Sequence, residues 1–277
     1  MGGLGVGAAL LVALLVAGSH AGRTASGHGL MGLIAGESGE SVPSPRFVLV
    51  HGDGTHARVR LGWVTEGALS PDARRIAYTP LGRSPAIWVA PTEGRSLGRL
   101  IARNAWDFDW SPRGGAIAFV RYRHACCRGV GDVWTVGAQG RSQRLLVRNG
   151  ASPDWAPDGT RVAFVRRGGI WVVDVVTKRA RWLIRNGVEP RWSPDGRHIA
   201  FARSIGFDTF VYVARADGTA EHRVAEGDSA AWSPDGTELA IPMFTWVLGV
   251  GVDGRHRRVV WAPRGGFPAL RDLDWVR

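Results

Sequence analysis

One phrase returns five times along this chain and constrains the fold more than any other feature. It opens on Trp or Leu, passes through Ser/Ala-Pro-Asp-Gly or a near copy, and runs on into an apolar stretch centred on alanine. The openers are Leu69, Trp110, Trp155, Trp192 and Trp232, spaced by 41, 45, 37 and 40 residues (110−69, 155−110, 192−155, 232−192). Eight residues after each opener stands Ala77, Ala118, Ala163, Ala200 or Ala240. A period near forty residues is that of the four-stranded blades of a propeller.

Each copy has the same internal grammar. The opener ends a short strand, and Ser-Pro-Asp-Gly makes a tight turn in which Pro presets φ and Gly accepts a positive φ at the exit. A second strand follows (Arg161–Val165, His198–Phe201), then a third (Ile87–Val89, Val133–Thr135, Ile170–Val173, Val211–Val213). A turn such as Asp217-Gly218 or Asp253-Gly254 leads into a basic fourth strand. Four strands in a meander cannot bury both faces alone, so successive units must stack.

The chain ends supply a sixth unit. Asp272-Leu-Asp-Trp275 near the C-terminus copies Asp107-Phe-Asp-Trp110, and Trp275 lies 43 residues after Trp232 (275−232). Leu33–Ala35, Phe47–Val50 and His56–Arg60 read as second, third and fourth strands. One strand from the tail with three from the head would complete a blade, close the ring and remove an open sheet edge. The expected fold is all-β: a six-bladed β-propeller of four-stranded antiparallel blades over 30–277, closed by N- and C-terminal strands.

The Trp-Ser-Pro-Asp-Gly, Ile-Ala-Phe, Ile-Trp-Val and Asp-Gly-Thr phrases resemble the WD40-like "PD40" repeats of the TolB-type six-bladed propellers, from about residue 30 to 277. The copies depart from that pattern at Leu69, Ala73, Arg113, Gly249 and Gly251. The resemblance implies a protein- or peptide-binding module of the cell envelope. TolB carries an α/β domain before its propeller and related oligopeptidases a hydrolase domain after theirs. A propeller over 30–277 leaves room for neither in these 277 residues.

The 13 Trp and 39 Gly follow from the repeat, Trp as filling between blades and Gly in turns. The net charge of +11 is arginine-built, with Lys178 as the only lysine. Many arginines fall in fourth strands, where charge discourages edge pairing. A polyanion-binding surface is the competing reading of that charge. No arginine cluster is interleaved with stacking aromatics, which argues against nucleic acid.

Residues 4–18 are uncharged and mostly apolar, followed by Ser19-His20-Ala21. This reads as an export signal, or an N-terminal anchor, over 1–21 and a linker over 22–29, although no Lys or Arg precedes the apolar run. Membrane association is expected only if that segment stays uncleaved. At 15 residues (18−4+1) the run is short for a spanning helix. Cys126 and Cys127 are adjacent, in an insertion over 121–131 with His124 nearby, and lack the usual metal-ligand separation. A loop without a chemical role, a vicinal disulfide, a metal site and intermolecular pairing are all compatible with them.

Catalytic patterns are absent: no G-x-S-x-G, no H-E-x-x-H, no Walker loop. Gly249-Val-Gly251-Val-Asp-Gly254 matches G-x-G-x-x-G but falls on a strand and its turn. The eight histidines are scattered, with His198 and His256 read as surface residues. No cofactor and no metal ligands are called for.

Aligning the units brings out one constellation. Three residues before the openers stand Glu66, Asp107, Ser152, Glu189, Ser229 and Asp272; one residue before them stand Ala68, Asp109, Asp154, Arg191, Ala231 and Asp274. Strand alternation puts these two positions on one face. The candidate binding residues are therefore Glu66, Asp107, Asp109, Asp154, Glu189, Arg191, Asp272 and Asp274, expected to crowd one mouth of the channel and attract a basic partner. Turn chemistry and pairing with the connectors Arg103-Asn104, Arg148-Asn149 and Arg185-Asn186 is the plainer reading. Two functions follow. One is a non-catalytic, exported binding propeller; the other is a propeller enzyme with metal-dependent lactonase- or lyase-like chemistry at the mouth.

Overall fold

In the computed structural model, residues 30–35, 46–51, 58–82, 84–122, 131–243, 246–261 and 270–276 are described, and among them there are strands and turns but no helix. The apolar run over 4–18 and the Cys126-Cys127 pair lie outside the described residues.

The chain folds into consecutive antiparallel sheets. β1 (Leu30–Ala35), β2 (Arg46–His51) and β3 (Arg58–Gly62) form one sheet with the last strand of the chain. β4 (Val64–Leu69), β5 (Arg75–Pro80), β6 (Ala86–Pro91) and β7 (Arg99–Arg103) form the next. A seven-stranded sheet follows: β8 (Ala105–Trp110), β9 (Ala116–Arg121), β10 (Gly131–Gly137), β11 (Arg144–Trp155), β12 (Arg161–Arg166), β13 (Gly169–Asp174) and β14 (Ala180–Arg185). Then come β15 (Val188–Trp192), β16 (His198–Ile205), β17 (Asp208–Arg215) and β18 (His222–Glu226), and after them β19 (Ala231–Trp232), β20 (Glu238–Pro242), β21 (Val247–Gly251) and β22 (Arg258–Trp261). β23 (Leu270–Val276) pairs with β1, placing Leu30 opposite Val276, Gly32 opposite Asp274 and Ala35 opposite Leu270.

The seven-stranded sheet is two repeat units joined by one long strand. Residues up to Gly150 of β11 pair with β10, and those from Ala151 on pair with β12. Elsewhere a break separates the fourth strand of one unit from the first strand of the next.

The turns after the openers show why the sequence phrase recurs. In Ser193-Pro-Asp-Gly196 the Gly196 N–H donates to the Ser193 carbonyl at 2.9 Å, closing the turn. The Ser193 hydroxyl donates to Asp195 Oδ1 at 2.6 Å and accepts from the His198 N–H at 2.9 Å. Gly196 sits at φ 69°, and a Cβ there would meet Pro157 of the preceding turn at 2.9 Å. Glycine is thus required twice over, by conformation and by the close approach of the neighbouring unit.

The core lies between successive sheets. Phe47, Leu61, Leu69 and Ile76 join β2–β3 to β4–β5; Ile87, Phe108, Trp110 and Phe119 join the next sheet to β8–β9; Val172, Ile184, Trp192 and Phe201 join β13–β14 to β15–β16. Trp110, Trp192 and Trp232 are wholly buried, as the repeat predicts for filling between units. The indole Nε1 of Trp110 donates to the Ala68 carbonyl at 3.2 Å, and that of Trp232 to the Arg191 carbonyl at 2.9 Å. Each indole thereby ties its unit to the residue just before the preceding opener. Truncating such a Trp to Ala costs ~3–5 kcal/mol.

One sequence-level assignment changes. His198 is half-buried with its ring 6.5 Å from that of Trp232, where Arg75 and Arg161 lie over Trp110 and Trp192 at 4.9 and 5.0 Å. It belongs to a stacking position six residues after the opener. His256 is exposed, as expected.

Two faces result. One carries the Ser-Pro-Asp-Gly turns and the turns between third and fourth strands. The other, the connector face, carries the links between units and the hairpins between second and third strands.

Candidate functional site

The first strands of the units lie against one another in chain order: β4 touches β8, β8 touches β11, β11 touches β15, β15 touches β19, β19 touches β23, and β23 touches β4. Side chains at the aligned positions on these strands therefore meet across units.

The strict alternation expected of these strands is interrupted. Asp107, Ser152 and Glu189, each three residues before an opener, adopt φ of 53°, 46° and 51°, and the pairing register shifts across each of them. Left-handed backbone at such residues is uncommon and costs of order 1–3 kcal/mol each. Asp107 is third of six residues in β8 and Asp109 fifth, while Glu189 is second of five in β15 and Arg191 fourth. The candidate side chains thus occupy two levels along the strands.

Asp107 Oδ2 accepts the Ser152 N–H at 2.6 Å, and the Ser152 hydroxyl donates to Glu189 Oε1 at 2.9 Å. Three consecutive units are joined through one serine, which the sequence showed only as a non-acidic member of the aligned position. Asp109 Oδ2 accepts the Trp155 N–H and Asp154 Oδ2 the Trp192 N–H, both at 2.7 Å. Each of these aspartates holds the opener of the following unit. Arg191 donates to Glu189 Oε2 at 3.3 Å and to the Pro190 carbonyl at 2.7 Å. Glu66 is buried and accepts from the Thr79 hydroxyl at 3.2 Å. The side chains of Asp272 and Asp274 lie outside the described residues, although their backbone belongs to β23.

Electrostatically, four carboxylates (Glu189, Asp154, Asp109 and Asp107) act on the buried guanidinium of Arg191. Burial works against its charge, and the carboxylates outweigh burial and hold its proton more firmly. Burial pushes Asp107 up to about 7, reinforced by the Glu189 charge. Burial likewise pushes Asp154 up to about 7 against the pull of Arg191, and it raises Glu189. Asp154 Oδ1 is buried and accepts no hydrogen bond among the described residues. Glu189 keeps 18% of its side-chain surface open, whereas Asp109 and Asp154 have none.

Arg103, Arg148 and Arg185 are exposed. The carbonyls of Arg148 and Asn149 accept from Arg166, and those of Arg185 and Asn186 accept from Arg203. Farther out, a groove of about 420 Å³ lies between the end of β18 and the sheet of β20–β22, with Met243, Trp246 and Leu248 in its wall.

No family model and no curated protein matches this chain. Solved structures do. TolB from Acinetobacter baumannii superposes with a TM-score of 0.74 at 18% identity, covering 90% of this chain and 66% of that protein, so the chain spans just under two thirds of that TolB. A chain of the nidogen/laminin complex superposes at 0.69 and 11% identity, over 91% of this chain and 99% of that one. Oligogalacturonate lyase from Vibrio parahaemolyticus gives 0.55 and 11%, over 80% and 72%. The fold is thus an all-β, TolB-like propeller, and the stacked first strands are its axial strands.

Proposed function

We propose that this chain is a non-catalytic, exported propeller that holds a basic or N-terminal peptide segment of a protein partner at the acidic connector end of its axis. The observation that carries the reading is four carboxylates around one buried arginine, with Glu189 reaching solvent, in a chain of net charge +11. Carboxylates beyond what Arg191 balances need protons or an incoming cation, and a cationic group on a partner can displace the protons. A cleft lined by one sign focuses its potential whatever the total charge.

The propeller has six blades, closed where the tail strand enters the first sheet; the β1–β23 pairing and the contact of β23 with β4 support this count. Residues 1–21 act as a removable export signal and 22–29 as a linker. With the TolB-like fold, they support an extracytoplasmic mature protein. The nidogen/laminin neighbour supports a binding role for such a fold, at the level of fold analogy.

The enzyme reading draws on the fold likeness to oligogalacturonate lyase. Among the described residues no three or more His, Cys, Asp and Glu side chains are grouped to hold a metal.

Fluorescence anisotropy with a labelled alternating Arg-Ser peptide and its Glu-Ser counterpart tests the binding mode. The Arg-Ser peptide should bind, weaken with salt, and be lost in the Asp107→Asn/Glu189→Gln variant. Unchanged binding by that variant, or preference for the Glu-Ser peptide, would refute it.

A further inference from the structure

Four arginines converge at the connector end of β11–β14. The Arg166 guanidinium donates to the carbonyls of Arg148 and Asn149. The next residue, Arg167, stands in the two-residue turn Arg167-Gly168 at φ 48°. The Asn186 N–H donates to the Gly168 carbonyl at 2.8 Å, and Arg185 lies opposite Gly169. Arg148, Arg167 and Arg185 are exposed and form no ion pair among the described residues. Arg166 is half-buried, and burial first, then the Arg167 charge, loosens its hold on its proton.

The neighbouring unit continues this surface with apolar side chains. Arg203 donates to the carbonyls of Arg185 and Asn186 at 2.8 and 3.2 Å, which sets β16 beside the arginines. Val188, three residues after Arg185, is 42% exposed and pairs with Ala202. Two residues beyond Arg203 comes Ile205, 53% exposed, opposite Asp208 across the turn Gly206-Phe207. Phe207 is fully exposed at the tip, where the matching turn one unit earlier carries Arg167-Gly168. Turn geometry needs no apolar side chain there, because Gly206 at φ 64° supplies the left-handed residue. The acids nearby answer little of the charge. Glu221 is taken up by Arg203 at 2.7 Å, Asp132 is buried and accepts the Asn149 N–H at 3.1 Å, and Asp208 and Glu226 are exposed on the β16–β18 side.

We infer that this edge of the connector face, with Arg148, Arg167 and Arg185 beside Val188, Ile205 and Phe207, docks on an anionic lipid surface. The inference goes beyond the axial site and rests neither on its acids nor on residues 1–21. Charge complementarity requires an anionic partner, since the exposed arginines are the unanswered charges of this edge. Each arginine brought close to an anionic bilayer strengthens binding about fivefold. The apolar residues choose lipid among anionic partners. Phe207 projects from a hairpin tip instead of lining a cleft, and a peptide or small ligand gains little from a side chain that nothing walls in. The boundary between headgroups and acyl chains closes around such a tip while guanidinium groups stay among the headgroups. An acidic polymer would satisfy the arginines and leave Phe207 in water.

Co-sedimentation of the full chain with phosphatidylglycerol vesicles, phosphatidylcholine vesicles and soluble polyglutamate as competitor tests the inference. Phosphatidylglycerol should be bound at least about tenfold more tightly than phosphatidylcholine, with the preference falling as salt rises. Arg148→Gln, Arg167→Asn and Arg185→Gln should each weaken binding to phosphatidylglycerol about fivefold, and the three together roughly a hundredfold. Phe207→Ser should weaken it about tenfold and leave polyglutamate binding unchanged. Asn tolerates the left-handed turn position of Arg167, so Tm should hold and separate lost binding from lost fold. Equal binding to the two kinds of vesicle, as an apolar segment acting alone would give, overturns the inference. Arginine variants that bind phosphatidylglycerol like the parent overturn it as well. Polyglutamate that displaces the vesicles, together with parent-like vesicle binding by Phe207→Ser, assigns this edge to an acidic polymer and overturns the lipid surface.

Discussion

Asp154 and Asp158 stand four residues apart, on either side of Trp155, and their acidities move in opposite directions. Asp154 is the penultimate residue of an axial strand, is wholly buried, gives one oxygen to the Trp192 N–H, and is pushed up to about 7 by burial. Asp158 lies in the turn with 38% of its side chain exposed. Partial burial works upward on it as well. The Thr160 N–H and hydroxyl, both at 2.8 Å, and the Arg161 guanidinium outweigh burial and hold it below the usual carboxylate range. Asp195 and Asp235 repeat the turn pattern with the preceding serine and backbone N–H groups. Turn aspartates are thus satisfied by residues two or three positions away, while axial aspartates are held by partners 38 to 46 residues away. Local chemistry makes the turns self-sufficient. The axial cluster exists only when neighbouring units are assembled.

The hardest test of that contrast is to remove β23. Deleting residues 270–277 takes the axial strand from the sheet of β1–β3 and leaves β19 and β4 without their neighbour. In the six-blade reading this opens the ring and exposes apolar inter-sheet surface, so the truncated protein should aggregate or melt far below the parent. The turns, being local, survive in the fragment's backbone, but the titration near pH 7 should vanish with the assembled axis. A soluble truncation with unchanged Tm and an intact titration would break both the closure model and the contrast.

A smaller effect follows from the sign of the axial shifts. Burial holds the Asp107 and Asp154 carboxyls up at about 7 in the folded state, whereas in the unfolded chain they ionise near the ordinary 3.8. Between those limits the folded state binds more protons, so stability falls as pH rises from about 4 to 7, then levels off. The turn aspartates act with the opposite sign. The stability they give is present above their unfolded pKa and is lost as pH falls below about 4. Asp154→Asn retains an oxygen for the Trp192 N–H and removes the titration. Its Tm should exceed the parent's at pH 8, and its decline between pH 4 and 7 should be shallower. A variant that follows the parent's pH curve would show that Asp154 does not carry the linkage.

The same contrast explains what was legible in the sequence. Turns and openers were readable because their chemistry is local: Pro and Gly at fixed offsets, and Trp at a fixed period, impose backbone and burial directly. The axial strands were readable as strands, and the aligned acids as a group. Their disposition was not readable, because left-handed residues at Asp107, Ser152 and Glu189 break the period-two rule from which a shared face was argued. Nothing in the local sequence marks Ser152 as the bridge between Asp107 and Glu189. That role depends on which residues 45 and 37 positions away face it.

The smallest effect tests the local side of the comparison at the one opener turn that lacks glycine. Ala73 sits at φ 55°, where Gly114, Gly159, Gly196 and Gly236 take 63°, 70°, 69° and 73°. Its N–H still donates to the Ser70 carbonyl at 2.7 Å, so the turn closes despite the strained residue. Ala73→Gly relieves about 1–2 kcal/mol of left-handed strain. Against this, the unfolded chain gains freedom worth about 0.4–1 kcal/mol. Loss of a half-buried methyl against the Leu69–Ile76 cluster removes roughly another 0.4 kcal/mol. The terms nearly cancel, their mid-values leaving a net gain of about 0.4 kcal/mol, read as a Tm rise of about 1 °C for a chain of this size. A clear fall in Tm would mean that the Ala73 methyl is part of the inter-sheet core. This turn would then depend on its neighbours as the axial acids do.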